Sequence, residues 1–157
     1  ANPIVRNDVT GEELKLIQPR ASGHMVEFGR AVMHARGNRW LIDSVPPLNG
    51  PNEEINPLDL FVGALPACGL MVYEAVARET GISLQAAKAT VEADLDPRGV
   101  AGKNVNPRIR AFRVSIDVEG PTSEELEMMA QAFQVRCPIY TTLERSAEIY
   151  VTHAGLN

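Results

Sequence analysis

Cys68 and Cys137 are the two residues with the most chemistry to offer in this chain of 157 residues. A thiolate is both a nucleophile and a disulfide-former, so a pair of cysteines can run a redox cycle. With only two cysteines and no CxxC, neither a disulfide scaffold nor a zinc ribbon is expected. Each cysteine also has a plainer reading. Cys68 falls on an apolar helical stripe, where cysteine commonly serves as a small core side chain. Cys137 precedes Pro138 at a helix end, where the backbone changes direction and a thiol has room to move. A separation of 69 positions is no spacing motif, so two unrelated buried thiols stand as the competing reading.

A working thiolate among apolar side chains needs a nearby cation, because desolvation raises a thiol above its reference pKa of about 8.5. Arg30 is the first candidate, since it shares an alternating run with Val26, Phe28 and Val32 and so points with them. A buried arginine demands a partner, and an edge-strand or subunit-interface position would explain Arg30 as well. Arg20, in a Gln-Pro-Arg-Ala-Ser-Gly stretch, and Arg39, in a hairpin turn, are weaker rivals. Asp59 could orient such an arginine. It lies nine residues before Cys68, which is about 13 Å along a helix and on its opposite face, so it cannot touch the thiol itself. The competing reading of Asp59 is as a cap of the helix alone, and Glu53 and Glu54 in the preceding loop are alternatives. His24, His34 and His153 are scattered, without HxxH or HExxH, and there is no GxGxxG or Walker loop. Neither a metal nor a nucleotide cofactor is expected.

The elements that must position these residues are marked by local signals. Val26 to His34 alternates, Gly37 and Asn38 supply turn chemistry, and Trp40 to Ile42 follows, which predicts an N-terminal hairpin. Ser44 to Asn56 is rich in Pro, Gly and Asn and reads as a loop. Asn56 as N-cap, Pro57 at the first position and Asp59 three after the cap open a helix that Gly81 ends. Within it Phe61, Ala64, Leu65, Cys68, Met71, Val72 and Ala75 form one apolar stripe, and Pro66 predicts a kink one turn before Cys68. Strands are expected at Ala87 to Asp96, Arg108 to Glu119 and Ala147 to His153. A helix opened by the Thr122/Glu125 capping box should run to about Gln134 and stop at Pro138. The order β-β-α-β-β-α-β, with hairpins rather than βαβ crossovers, argues α+β with mainly antiparallel strands.

Length and 45% apolar content suit one domain with a sizeable core. The net charge of −5, with no basic run or stripe, disfavours nucleic acid. Uninterrupted apolar stretches fall short of the roughly 18 residues of a membrane span, and the N-terminus lacks a secretory layout, so a cytoplasmic protein is expected.

The segment Asn56-Pro-Leu-Asp-Leu-Phe-Val-Gly-Ala-Leu-Pro-Ala-Cys68 resembles the helix signature of the OsmC/Ohr family, and Cys137-Pro138 resembles its second signature. Ala77 to Leu84 and the paired strands extend the resemblance over nearly the whole chain. It implies an intertwined homodimer with a long central helix and active sites at the subunit interface, walled by apolar side chains that favour organic hydroperoxides. There Cys68 would attack the peroxide, Cys137 would resolve the sulfenic acid, an external dithiol would supply electrons, and Arg30 would activate the thiolate. Family members with glutamate ten residues before the cysteine differ from this chain, which has Leu58 there and Asp59 at nine. A dimeric module that binds a small hydrophobic ligand without turnover is the alternative function.

Overall fold

Two tight turns organise the first part of the chain. Gly29 (φ 71°) and the pair Arg36–Gly37 (φ 51° and 80°) take left-handed conformations, which let neighbouring strands reverse with the right-handed twist of a sheet. They separate β1 (Ser22–Glu27), β2 (Arg30–Ala35) and β3 (Asn38–Asp43), an antiparallel meander in a computed structural model that describes residues 6–155. The alternation from Val26 to His34 is therefore two strands, not one. Phe28 fits the apolar pattern, so only Gly29 marks the reversal, and Val26 and Phe28 are not strand-mates of Arg30. Arg30 keeps its same-side neighbours Val32 and His34 and stands opposite Asp43 on β3.

The helix α1 (Pro57–Thr80) begins and ends where local chemistry directs. Asn56 and Asp59 satisfy one another's backbone amides in a capping box, Pro57 opens the first turn, and Gly81 (φ 73°) closes the last. The helix continues through Pro66, which is buried. Then come β4 (Ala86–Asp94), the single turn α2 (Pro97–Val100), β5 (Ala111–Glu119), α3 (Ser123–Arg136), α4 (Pro138–Leu143) and β6 (Glu148–Gly155). The sheet order is β4-β5-β6. β4 and β5 pair antiparallel, whereas β5 and β6 are parallel. The expected absence of a βαβ crossover is thus corrected: α3 and α4 carry the chain back to the end of the sheet where β5 began, so β6 runs the same way. Antiparallel pairing still accounts for three of the four strand pairs.

The core lies between α1, α3 and one face of the second sheet. Phe112, Val114, Ile116 and Val118 of β5 point inward against Leu65, Tyr73, Val76 and Ala77 of α1 and Leu126, Met129, Ala130 and Phe133 of α3. Gly69 sits at the closest approach: a Cβ there would stand 2.7 Å from Ile116 Cδ1 and 3.4 Å from the Phe133 ring. The buried face of α1 is Leu65, Pro66, Gly69, Tyr73, Val76 and Ala77, rotated from the stripe anticipated from sequence. Phe61 is 50% and Met71 65% exposed, and Cys68 is half-buried at the margin. The helix is apolar nearly all round, so periodicity alone does not say which side meets the sheet. By length and composition α1 could span a membrane, contrary to the sequence expectation, but its buried side is committed to β5 and α3.

Gly69→Val should lower stability by about 1–3 kcal/mol through overpacking against Ile116 and Phe133, read as a shift in the denaturant midpoint. An unchanged midpoint would mean that α1 is not seated on the sheet at Gly69.

Candidate functional site

Cys68 and Cys137 are joined by a disulfide, with Cα atoms 6.1 Å apart. The contact of α1 with α3 brings the two residues together across 69 positions of sequence. Cys137 is buried and ends α3 while opening α4. Pro138 explains both functions: a residue before proline is pushed to extended backbone, and proline suits the first position of a helix. Cys137 accordingly has φ −79° and ψ 114°. Its amide donates to Phe133 O at 3.1 Å, and its Sγ accepts from the Tyr140 amide at 3.3 Å. Pro138 thus stops α3 as expected and also starts α4, which was not. Around this junction Phe133 packs edge-on against Tyr73 and Tyr140, with ring centroids 6.4 and 5.3 Å away. Burial, with help from Glu127, pushes the Tyr73 hydroxyl up to about 12.

Arg30 stands at the start of β2 in a nest of carboxylates. Its Nη1 donates to Glu27 Oε1 at 2.8 Å, and its Nη2 to Glu53 Oε2 at 2.5 Å and to Asp43 Oδ2 at 3.4 Å. Asp43, only 2% exposed, also accepts the backbone amides of Glu53 and Glu54 at 2.8 and 2.9 Å. Burial opposes its charge, but those amides and the guanidinium outweigh burial and hold the carboxyl below the usual range. The hydrogen bond to Glu53 raises Arg30 in turn, so it remains a cation. Arg30 Nε and Asp43 Oδ1 are buried with no partner. An unmet donor of this kind is costly and leaves the guanidinium with its buried Nε–H still to give.

The carboxylates that hydrogen-bond Arg30 are Glu53, Glu27 and Asp43, and Asp59 is not among them. Asp59 spends its side chain on the Asn56 amide at 3.4 Å, because at the third helical position that amide is its nearest donor. Glu54 contributes only its backbone amide. Arg20 bonds Gln18 and takes no part in the cluster. Asp43 was missed by sequence reasoning, although a signal existed: it ends the Trp40-Leu41-Ile42 run and pairs in register with Arg30. Within one chain no hydrogen bond joins Arg30 to Cys68 among the described residues, and the β1–β3 sheet makes no substantial contact with α1 or the second sheet. His24 and His34 stack 5.7 Å apart and His153 meets Glu127 at 3.5 Å. The described residues hold no group of three metal-ligating side chains.

Two three-stranded sheets with one long cysteine-bearing helix define an α+β fold shared with solved structures. An OsmC-like protein from Mycoplasma pneumoniae superposes with TM-score 0.77 at 16% identity, over 90% of this chain and 99% of that one. An organic hydroperoxide resistance protein from Elizabethkingia anophelis gives TM-score 0.70 at 16% identity over 90% and 99%. The organic hydroperoxide resistance protein OhrB of Bacillus subtilis gives 0.60 at 15% over 87% and 98%. No curated protein sequence matches the chain. The model of the family described as OsmC-like protein matches residues 50–152, and the chain belongs to that family.

Asp43 is lowered in the folded state, so its stabilising effect is present above the ordinary aspartate pKa of about 3.9 and is lost as pH falls through the lower folded value. Asp43→Asn should be less stable than the parent at neutral pH and should show a flatter loss of stability below about pH 4. Parallel acid profiles for the two proteins, in denaturation at several pH values, would contradict the assignment.

Proposed function

We propose that this protein is a thiol-dependent peroxidase that reduces organic hydroperoxides. The observation that carries the reading is the bond between Cys68 and Cys137, two distant cysteines held in reach of one another. In the cycle, the Cys68 thiolate attacks a peroxide oxygen, the O–O bond breaks, and an alcohol leaves after taking up a proton. Cys68 is then a sulfenic acid. The Cys137 thiol displaces its oxygen as water, giving the disulfide, and an external dithiol returns both sulfurs to the reduced state. The half-buried position of Cys68 suits attack on an incoming peroxide, and the buried Cys137 suits resolution from within. Structural neighbours named organic hydroperoxide resistance proteins support the same reading.

Arg30 supplies the cation that ionises Cys68, positioned by Glu53, Glu27 and Asp43 and donating through its unpartnered Nε. Since its sheet makes no substantial contact with α1 within one chain, the working unit is a homodimer in which Arg30 of one copy serves Cys68 of the other. The exposed Phe61 and Met71 of α1 and Met25, Val26 and Phe28 of β1 and its turn are apolar surface that a second copy would cover.

Reduced protein mixed with cumene hydroperoxide should lose both thiols and gain the Cys68–Cys137 disulfide, and Cys68→Ser should lose none. Persistence of both thiols under excess peroxide would sink the peroxidase reading. Arg30→Ala should reduce the rate of the first thiol loss at least about tenfold, the scale expected when a charged hydrogen bond to the nucleophile is removed. Cys137→Ser should consume one equivalent of peroxide and then fail to cycle with dithiols, whereas normal cycling would assign resolution to an external thiol.

A further inference from the structure

The Arg30 cluster occupies one end of the first sheet, and the other end gathers cations that the redox centre does not use. Four positions along β2 from Arg30, about 13 Å away on the same face, His34 stands opposite Ser22 on β1 and Arg39 on β3. The His24 ring stacks on the His34 ring, 5.7 Å away and 18° from parallel. Where β1 begins and β2 turns into β3, a hollow of about 360 Å³ opens, lined by Arg20, Ser22, His34 and Arg36 with two alanines and a glycine between them. Neither Arg20 nor Arg36 has a carboxylate partner among the described residues, while Arg30, Arg78, Arg98, Arg113 and Arg136 all do. The Arg20 guanidinium reaches only Gln18 Oε1, at 3.4 Å. Arg39 lies outside the hollow, in a neighbouring depression that it shares with Glu54. A chain of net charge −5 has thus left this hollow lined by basic side chains and no acid.

Surface arginines can simply splay into water, where neighbouring like charges cost little. The turn argues for more than that. Arg36 has φ 51°, a left-handed conformation that is unfavourable for an L-residue of its kind and that asparagine or glycine adopts more easily. The Asn38 amide braces it there, donating to the Ala35 and Arg36 carbonyls at 3.3 and 3.5 Å. A strained position that presents an unpartnered cation to a hollow is accounted for by a binding role. Two stacked imidazoles also suit half of a metal site, but the adjacent guanidiniums repel a metal ion, and no third ligating group stands by among the described residues. The donors fit an anion with more than two oxygens. Two guanidinium forks, the Ser22 hydroxyl and the His34 ring offer more hydrogen bonds than a carboxylate can use, and two fixed positive charges match a phosphoryl dianion with three terminal oxygens. We propose that Arg20, Ser22, His34 and Arg36 bind the phosphoryl group of a phosphomonoester, at the end of β2 remote from Arg30. This site does not depend on the peroxidase reading.

Calorimetric titration of the intact protein with inorganic phosphate, at fixed ionic strength, should reveal one saturable site per chain. Acetate should bind at least about tenfold more weakly, the scale of one charge-assisted contact. In NMR spectra of the same titration the His24 and His34 imidazole signals should move, while that of His153, which meets Glu127 elsewhere in the fold, should stay in place. Arg20→Gln/Arg36→Asn should weaken phosphate at least about tenfold. Arg36→Asn alone suits the left-handed turn, so it should weaken phosphate while keeping or raising the denaturant midpoint, which separates lost binding from lost folding. Arg78→Gln, which removes an exposed arginine paired with Glu74, should leave phosphate affinity unchanged. Absence of saturable phosphate binding, equal binding of acetate, or parental affinity in the double variant would overturn the proposal.

Discussion

The approach of α1 to the sheet at Gly69 is the contact on which the rest of the molecule depends. A residue without a side chain lets the helix backbone settle against Ile116 and Phe133, and the neighbouring Cys68 is then carried to the edge of the α1–α3 contact. Phe133 ends the buried face of α3 four residues before Cys137, so the same packing sets the height of both sulfurs. Interiors are packed too densely for such a position to drift, which is how a long helix can hold a reactive side chain at a constant distance from a second one.

Around Cys137 the backbone does as much as the side chains. Proline at 138 breaks one helix and begins another, and the extended residue between them exposes its sulfur to the free amide of Tyr140 rather than to solvent. A hydrogen bond of this kind favours sulfur bearing negative charge, as a leaving thiolate does when a disulfide is reduced. The arginine cluster is built on the same logic in reverse. Asp43 is fixed by two backbone amides before it meets Arg30, so the guanidinium is held by a carboxylate that cannot itself wander.

The chain taken singly leaves these parts unfinished. Phe61 and Met71 lie open on α1, β1 is exposed along its length, and the arginine nest sits on a sheet that makes no substantial contact with the helix bearing Cys68. Apolar surface and a buried, unmet donor are both unfavourable in isolation, and the proposed dimer is the arrangement that would relieve them.

Much of this was legible in the residues themselves. The Asn56–Asp59 and Thr122–Glu125 boxes, the stop at Gly81, the alternation through Phe112 to Val118 and the break at Pro138 are all interactions between residues a few positions apart. Local geometry suffices for them, so sequence determines them by itself. The reversal at Gly29 was hidden because Phe28 kept the apolar alternation going. The face of α1 that meets the sheet, the parallel pairing of β6 with β5, the choice of Glu53 and Asp43 over Asp59 for Arg30, and the meeting of Cys68 with Cys137 joined residues ten to seventy positions apart. No periodicity encodes such pairings. They were decided only when side-chain volumes and unmet hydrogen bonds from distant elements had to be reconciled in one core.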